Sequence, residues 1–327
     1  MLRVGILSAW HVHTEGYAKE FSELPGVKIT CVWDEQPQRG RELAKKYGVD
    51  FVADYRDLLK REDVDAVCCT APTNMHAELM LAAAEAKKHI YTEKVLCLTN
   101  EDAQKIKAAV EKNGVKFLIS LPHRANPKNL FAKKCIDDGL LGTVTYLRVR
   151  VAHNGSSGGW LPPHFYGKAE CGGGAMMDLG AHPMYLTRWL MGKPSECVSA
   201  FTHVTEGHEV EDNAVSMFKF PNGAIAVAET GFVSAPSPYA LEIYGTDGCL
   251  LIDDDGVKLH ANNMKADVTG WVSPDRLPEA LAYPVKQFVE GITEGKPIAF
   301  GIEEAVELTE MVVAAYKADA EGKSVRM

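Results

Sequence analysis

Across the first 120 residues, five short apolar runs rich in β-branched side chains alternate with stretches of helical periodicity. No other feature of the chain limits its fold as much. The strand candidates are residues 2–7, 27–33, 64–70, 89–92 and 115–119, and helix-like segments lie at 14–23, 37–47, 75–86 and 100–112. Near-continuous apolar strands separated by amphipathic helices imply an α/β domain built on a doubly wound parallel sheet, covered on both faces. Such sheets take ligands at the carboxyl ends of their strands.

Past Pro122 the pattern changes. "VTYLRVRV" (144–151) alternates apolar and polar residues, as a half-exposed strand does. In "AVSMFKFPNGAIAVAETGF" (214–232) the Asn222-Gly223 pair separates two strand-like runs, a strong hairpin signal. "ALEIYGTDGCLLID" and "LLIDDDGVKLH" read as two more hairpins, and a helix over 302–317 closes the chain. The expected organisation is a Rossmann-type dinucleotide-binding domain over 1–121. An α+β domain with a large, mainly antiparallel sheet follows over 122–327. A length of 327 residues suits two cores better than one.

Net charge is −9 and no block of Lys or Arg occurs, so neither nucleic acid nor an anionic membrane is an expected partner. No apolar run approaches the roughly 20 residues that cross a bilayer. The eight cysteines form no C-x-x-C pair and several lie inside apolar runs, as expected of reduced thiols in a cytoplasmic protein.

Several local signals could carry chemistry. Asp34 ends the second strand, where a carboxylate can accept from both ribose hydroxyls of an adenosine and repel a 2′-phosphate. Its alternative is a loop carboxylate or helix cap. Behind Thr70, the segment Ala71-Pro72-Thr73-Asn74 would cross the cofactor before a helix begins. Asn74 either touches the cofactor or caps that helix, and His76 in the first turn is structural or functional. Glu93 and Lys94 follow the next strand directly, which aims the Lys94 ammonium into the ligand crevice. In "ECGGGAMMDLGAHPMYLTRWLMGKP", Asp178 and His182 lie four apart. On one helix they would stack, giving a base near neutral pH. Pro183 requires that this helix bend there or start afresh near His182. At the handover between domains, His123 and Arg124 are cleft or packing residues. The segment 151–167 brings Trp160, His164 and Tyr166, side chains suited to a sugar ring, or is a partly disordered surface loop.

These segments together resemble the Gfo/Idh/MocA family (glucose–fructose oxidoreductase, inositol dehydrogenase and relatives), and the likeness extends over essentially the whole chain. "PTNMHAELMLAAAEAKKHIYTEKVLCLT" is similar to the family's P-x-x-x-H…A-x-x-x-K-H…E-K-P-x-x-x-T block. "GGGAMMDLGAHPMYLTRWLMGKP" is similar to its G-G-G…D-x-G-x-H…L-x-G-x-P block, and "YGTDGCLLID" to its G-x-x-G strand pair. The resemblance implies a nicotinamide-dependent oxidoreductase acting on a secondary hydroxyl of a sugar, cyclitol or related polyol. It implies that Lys94 hydrogen-bonds the reacting hydroxyl, that His182 exchanges its proton, and that Asp178 holds substrate or tunes His182. Arg124, His153, Trp160 and His164 are the expected substrate contacts. NAD is the expected cofactor, with NADP not excluded because Arg39 lies five residues beyond Asp34. A homodimer or homotetramer, formed through the open face of the second sheet, is implied by analogy.

Two departures stand out. The family's E-K-P is Glu93-Lys94-Val95 here. Where relatives carry G-x-G-x-x-G, an ungapped reading places Ser8, Trp10 and His13. The three glycines serve a tight turn, the close approach of backbone to pyrophosphate, and helix–strand packing respectively. Ser8 can serve the turn. Trp10 fits only if its side chain points away, and His13 needs extra room. The turn is therefore rebuilt, with Ser8, Trp10, His11 and His13 as its expected cofactor contacts. Two other readings stand beside NAD binding by this turn. In one, His11 and His13, placed on an extended segment with both rings to one side, join His182 around a divalent metal. In the other, the chain is a redox-inactive sugar-binding protein. The leading expectation includes no metal.

Overall fold

The computed structural model describes residues 1–262, 264 and 270–327. The chain forms two compact units, Met1–Leu121 with Ala282–Thr309, and Pro122–Leu281 with Glu310–Met327.

The first unit is a six-stranded parallel sheet of β1 (Leu2–Leu7), β2 (Val27–Trp33), β3 (Asp50–Phe51), β4 (Ala66–Cys69), β5 (His89–Thr92) and β6 (Phe117–Ile119). Its order is β3-β2-β1-β4-β5-β6, so the chain reverses direction between β1 and β4. That switch point opens a crevice at the carboxyl ends of the strands. The crossovers are α1 (Thr14–Glu23), α2 (Pro37–Tyr47), α3 (Tyr55–Lys60), α4 (His76–Glu85) and α5 (Asn100–Asn113). Every residue of β4 is buried, as expected of a strand covered on both faces. Local chemistry sets the helix bounds. Pro37 opens α2 and Gly48, at φ 66°, closes it. Thr99 caps α5 by accepting from the Asp102 amide.

The division expected at 121/122 changes in one respect, because residues 282–309 pack with the first unit. They contain α9, whose place in the chain falls after the elements of the second unit: α6 (Pro127–Asp137), α7 (Lys168–Cys171) and α8 (Ala181–Met191). In α9 (Pro284–Thr293) the Phe288 ring meets Phe21 and Tyr91 edge-on, at centroid distances of 6.3 and 5.8 Å. The Ile119 amide donates to the Phe300 carbonyl at 3.0 Å. Three buried aromatic rings in edge-to-face contact hold this returning segment in place.

The second unit carries an eight-stranded sheet: β7 (Val144–Ala152), β8 (Glu196–Thr202), β9 (Asn213–Lys219), β10 (Ile225–Gly231), β11 (Ala240–Gly245), β12 (Gly248–Asp253), β13 (Val257–Ala261) and β14 (Val325–Arg326). The order is β13-β12-β11-β7-β10-β9-β8-β14, with β7 and β10 parallel and the other neighbours antiparallel. The three expected hairpins are β9–β10, β11–β12 and β12–β13. Helix α8 packs on β7 and β10. From β7, Arg148 reaches Glu229 on β10 and Glu242 on β11, at 2.6 and 2.8 Å. The last helix, α10 (Ile302–Glu321), belongs to the first unit up to Thr309 and to the second from Glu310. Among the described residues, no helix is long and apolar enough to cross a membrane.

Candidate functional site

The turn from β1 into α1 keeps a glycine-like backbone without a glycine. Ser8 has φ +73°, a region that β-carbon sterics disfavour. Its hydroxyl accepts the Trp10 amide at 3.1 Å, and Trp10 is buried. In a glycine-rich turn, backbone amides are left to meet phosphate. Here the Ala9 amide donates to Asp34, His11 to the Thr70 carbonyl, His13 to His11 Nδ1 and Thr14 to the His11 carbonyl. The backbone of this turn is thus committed within the protein. His11 and His13 lie in that turn rather than on the extended segment expected for them. Tight chain reversal, not strand alternation, brings their ring centroids to 4.6 Å.

Both rings face Glu93, which follows β5. His13 Nδ1 lies 2.6 Å from Glu93 Oε1 and His11 Nδ1 lies 3.8 Å from the same oxygen. Glu93 Oε2 accepts the Lys94 amide at 2.8 Å. The Tyr17 hydroxyl binds Glu93 Oε1 and also meets Ser120 Oγ at 2.9 Å. Burial pushes the Glu93 carboxyl upward, but His11, His13 and Lys94 outweigh it and hold the group well below the usual carboxylate range. Tyr17 escaped the sequence reading. Its signal was the spacing of four from His13 at the start of an amphipathic helix. Within the first unit the group that joins the two histidines is Glu93, where the sequence suggested His182.

Asp34 is not presented as an open acceptor. Its oxygens take the Ala9 and Gln36 amides, each at 2.7 Å, and the Arg39 guanidinium in a fork at 2.9 and 2.8 Å. Four donors use the roughly four lone-pair directions of a carboxylate. Glu35, next in the chain, has Oε2 buried with no hydrogen-bond partner among the described residues, and burial raises its pKa. Thr70 Oγ1 donates to the Ser8 carbonyl at 2.7 Å and receives Thr14 Oγ1 at 2.9 Å, which ties β4 to the first turn. Pro72 is buried and Asn74 exposed. Asn74 lies in the 3-10 turn before α4, and no side chain caps that helix. His76 is buried between the carbonyls of Val95 and Ala71, at 2.8 and 3.0 Å. Burial lowers its pKa and the two carbonyl acceptors oppose that shift, so the ring braces two loops. Lys94 is only 5% exposed. The Lys94–Val95 peptide is cis.

In the second unit, α8 begins at Ala181, so Pro183 is its third residue and forfeits an amide that a helix start leaves unused. Asp178 therefore precedes the helix instead of sharing one of its faces with His182. Tyr185, within the helix, is a partner of His182. Its hydroxyl lies 2.9 Å from His182 Nδ1 and accepts the His123 amide at 3.1 Å. The His123 and His182 rings meet edge-on at 4.8 Å, and His123 stacks on Tyr239 at 5.5 Å. The glycine triplet serves packing. A Cβ on Gly173 would lie 2.0 Å from the Tyr316 hydroxyl, and one on Gly174 2.0 Å from the Glu211 carbonyl. His153 stacks on Phe232 at 5.1 Å and meets Trp160 at 4.6 Å, and Trp160 is more than half exposed. Arg124 lies over the Trp189 ring at 5.1 Å, and His164 neighbours the Phe165 ring.

Comparison with known proteins assigns the family. Residues 3–121 match the oxidoreductase family with an NAD-binding Rossmann fold, and residues 130–251 match the GFO/IDH/MocA C-terminal domain. The chain belongs to the GFO/IDH/MocA family of NAD-binding oxidoreductases. It is 28% identical to scyllo-inositol 2-dehydrogenase (NAD(+)) of Bacillus subtilis over 323 residues, covering 94% of this chain and 90% of that one. Among solved structures, GenD2 from gentamicin A biosynthesis in complex with NAD is 25% identical, with a TM-score of 0.83, and covers 100% of this chain and 96% of its own. Levoglucosan dehydrogenase in complex with NADH and levoglucosan, at 21% identity, shares the fold, with a TM-score of 0.85 over 99% of each chain.

Proposed function

We propose that the protein oxidises or forms a secondary hydroxyl of a sugar, cyclitol or related polyol, with Lys94 and His182 acting on the reacting oxygen. The observation that carries this reading is a lysine buried at the carboxyl end of β5 in an NAD-binding sheet, a depth at which lysine is rarely found. Bound NAD supplies the hydride acceptor. Lys94 donates to the hydroxyl oxygen and stabilises the alkoxide character that grows as the carbon loses hydride. His182 takes the hydroxyl proton on Nε2, which requires its Nδ1 proton to be held toward the Tyr185 oxygen. The C–H electron pair leaves with the hydride, the O–H proton goes to His182, and a carbonyl remains. Asp178 sits before α8 and shapes the substrate's surroundings, with Arg124, His153, Trp160 and His164 as further substrate contacts.

For the cofactor, the fit rests on the reversal between β1 and β4 and on Glu35. With Asp34 committed, Glu35 Oε2 is the acceptor for a ribose hydroxyl, and the two carboxylates bridged by Arg39 keep one net negative charge, which opposes a 2′-phosphate and favours NAD over NADP. Ser8, Trp10, His11, His13, Thr70, Pro72, Asn74, His76 and Glu93 shape the rest of the cofactor's path. Seven of the eight thiols are buried, which suits a reducing compartment such as the cytoplasm. The sheet face bearing Arg148 and Glu229 is the surface we assign to a homodimer or homotetramer, which light scattering on the purified protein would test.

A screen of cyclitols, aldoses and anhydrosugars with NAD and NADP, read by absorbance of the reduced cofactor, tests the activity. With a substrate in hand, Lys94→Ala should reduce kcat by at least about 100-fold, with NADH affinity retained by fluorescence titration. Unchanged turnover would remove Lys94 from the reaction.

A further inference from the structure

The His11, His13 and Glu93 cluster does more than an ion pair requires. One ligand atom from each residue lies within 4.8 Å of the other two. Two imidazoles and one carboxylate, with a position left open, form the donor set of catalytic zinc sites. A tetrahedral ion with bonds of about 2.0–2.1 Å separates its ligands by about 3.4 Å. The distances to Glu93 Oε1 bracket that value, 2.6 Å from His13 Nδ1 and 3.8 Å from His11 Nδ1.

Metal binding displaces one proton, because His13 Nδ1 donates to the Glu93 carboxylate at 2.6 Å, whereas His11 already suits an ion. His11 Nδ1 accepts the His13 amide at 3.2 Å, so that nitrogen presents a lone pair, which a metal requires. The carboxylate is oriented from behind by groups outside the ligand set, the Tyr17 hydroxyl and the Lys94 amide. Such an outer layer fixes a ligand's direction in metal sites. Access is provided, because the His13 side chain is half exposed while Glu93 is 1% exposed. The cluster lies at the carboxyl ends of β1 and β5, the side of a doubly wound sheet where ligands bind.

We propose that His11, His13 and Glu93 bind one divalent first-row transition ion, with zinc as the reference ion and water in its open position. This departs from the expectation of no metal and does not depend on the hydride reading. Binding spreads the His13–Glu93 contact toward a tetrahedral edge and exchanges the amide bond at His11 Nδ1 for a metal bond.

The test uses the full chain, stripped with a chelator and without cofactor. Cobalt(II) is titrated and followed by visible absorption, and zinc is measured by calorimetry. The expected result is one ion per chain, the intense cobalt bands of a four- or five-coordinate site, and a thermal midpoint that rises with zinc. His13→Ala takes a partner from the buried Glu93 carboxylate and should lower the metal-free midpoint, weaken zinc by at least about tenfold, and abolish the zinc-dependent rise. If the alanine variant does not fold, His13→Gln carries the same comparison. Absence of saturable binding, or equal zinc affinity in the variant, would overturn the assignment.

Discussion

Each unit contains a buried glutamate bonded to a tyrosine hydroxyl, yet the two carboxyls behave oppositely. In the first unit Glu93 meets Tyr17, His11 and His13. In the second, Glu211 takes the Tyr316 hydroxyl at 2.5 Å and the amides of Gly174 and Met176 at 2.9–3.1 Å. Burial raises the Glu211 pKa, and the surrounding hydrogen bonds offset it only in part. For Glu93 burial acts the same way, but the imidazoles and Lys94 reverse the outcome. Amides and a phenol satisfy a carboxylate without supplying charge, whereas nearby cations fix it as an anion. Glu211 is a packing device around a glycine triplet, and Glu93 is an electrostatic centre.

Replacing the two glutamates separately tests this contrast. Glu93→Gln takes the buried carboxylate acceptor from His13 and Tyr17 and should cost about 3 kcal/mol in urea unfolding of metal-free protein at pH 7. Glu211→Gln keeps an acceptor for the amides and should cost about 1 kcal/mol under the same conditions. Equal losses would erase the distinction.

Acidity gives a smaller and more discriminating effect. Glu93 has a folded pKa below its unfolded value, so its contribution is present above the ordinary carboxylate range near 4.3 and fades as pH falls through the folded value. Glu211 has a raised folded pKa, so its contribution is complete below the ordinary value and fades as pH rises through the folded one. The stability gap between wild type and Glu93→Gln should therefore shrink as pH falls below about 4.3 toward the folded value. The gap for Glu211→Gln should widen as pH falls from 7 toward about 4.3. Parallel slopes in unfolding measured across both ranges would refute the opposite assignments.

Much of the fold could be read from local chemistry. The bounds of β1, β2, β5, α1 and α2 coincide with those expected, because period, proline and glycine mark them directly. What escaped depends on distance along the chain. The return of 282–309 to the first unit rests on Phe288 meeting Phe21 and Tyr91, partners some 200 residues away that no local pattern encodes. The site was legible as a set of residue types but not as a set of partners. Spacing alone pairs His182 with Asp178. The helix starts three residues after that aspartate, so the two do not share its face, and spacing gave no sign that Tyr185 would meet His182. His11 and His13 were visible as a pair, whereas the carboxylate that gathers them lies 80 residues away.

The four-donor clasp around Asp34 has a practical consequence for anyone redesigning coenzyme choice. The usual first substitution, at the acidic residue closing the second strand, would here cut the tether between the first turn and α2, and the damage would surface as lost folding rather than altered selectivity. Retuning has to begin one position later, at Glu35, with Arg39 kept to hold the clasp shut.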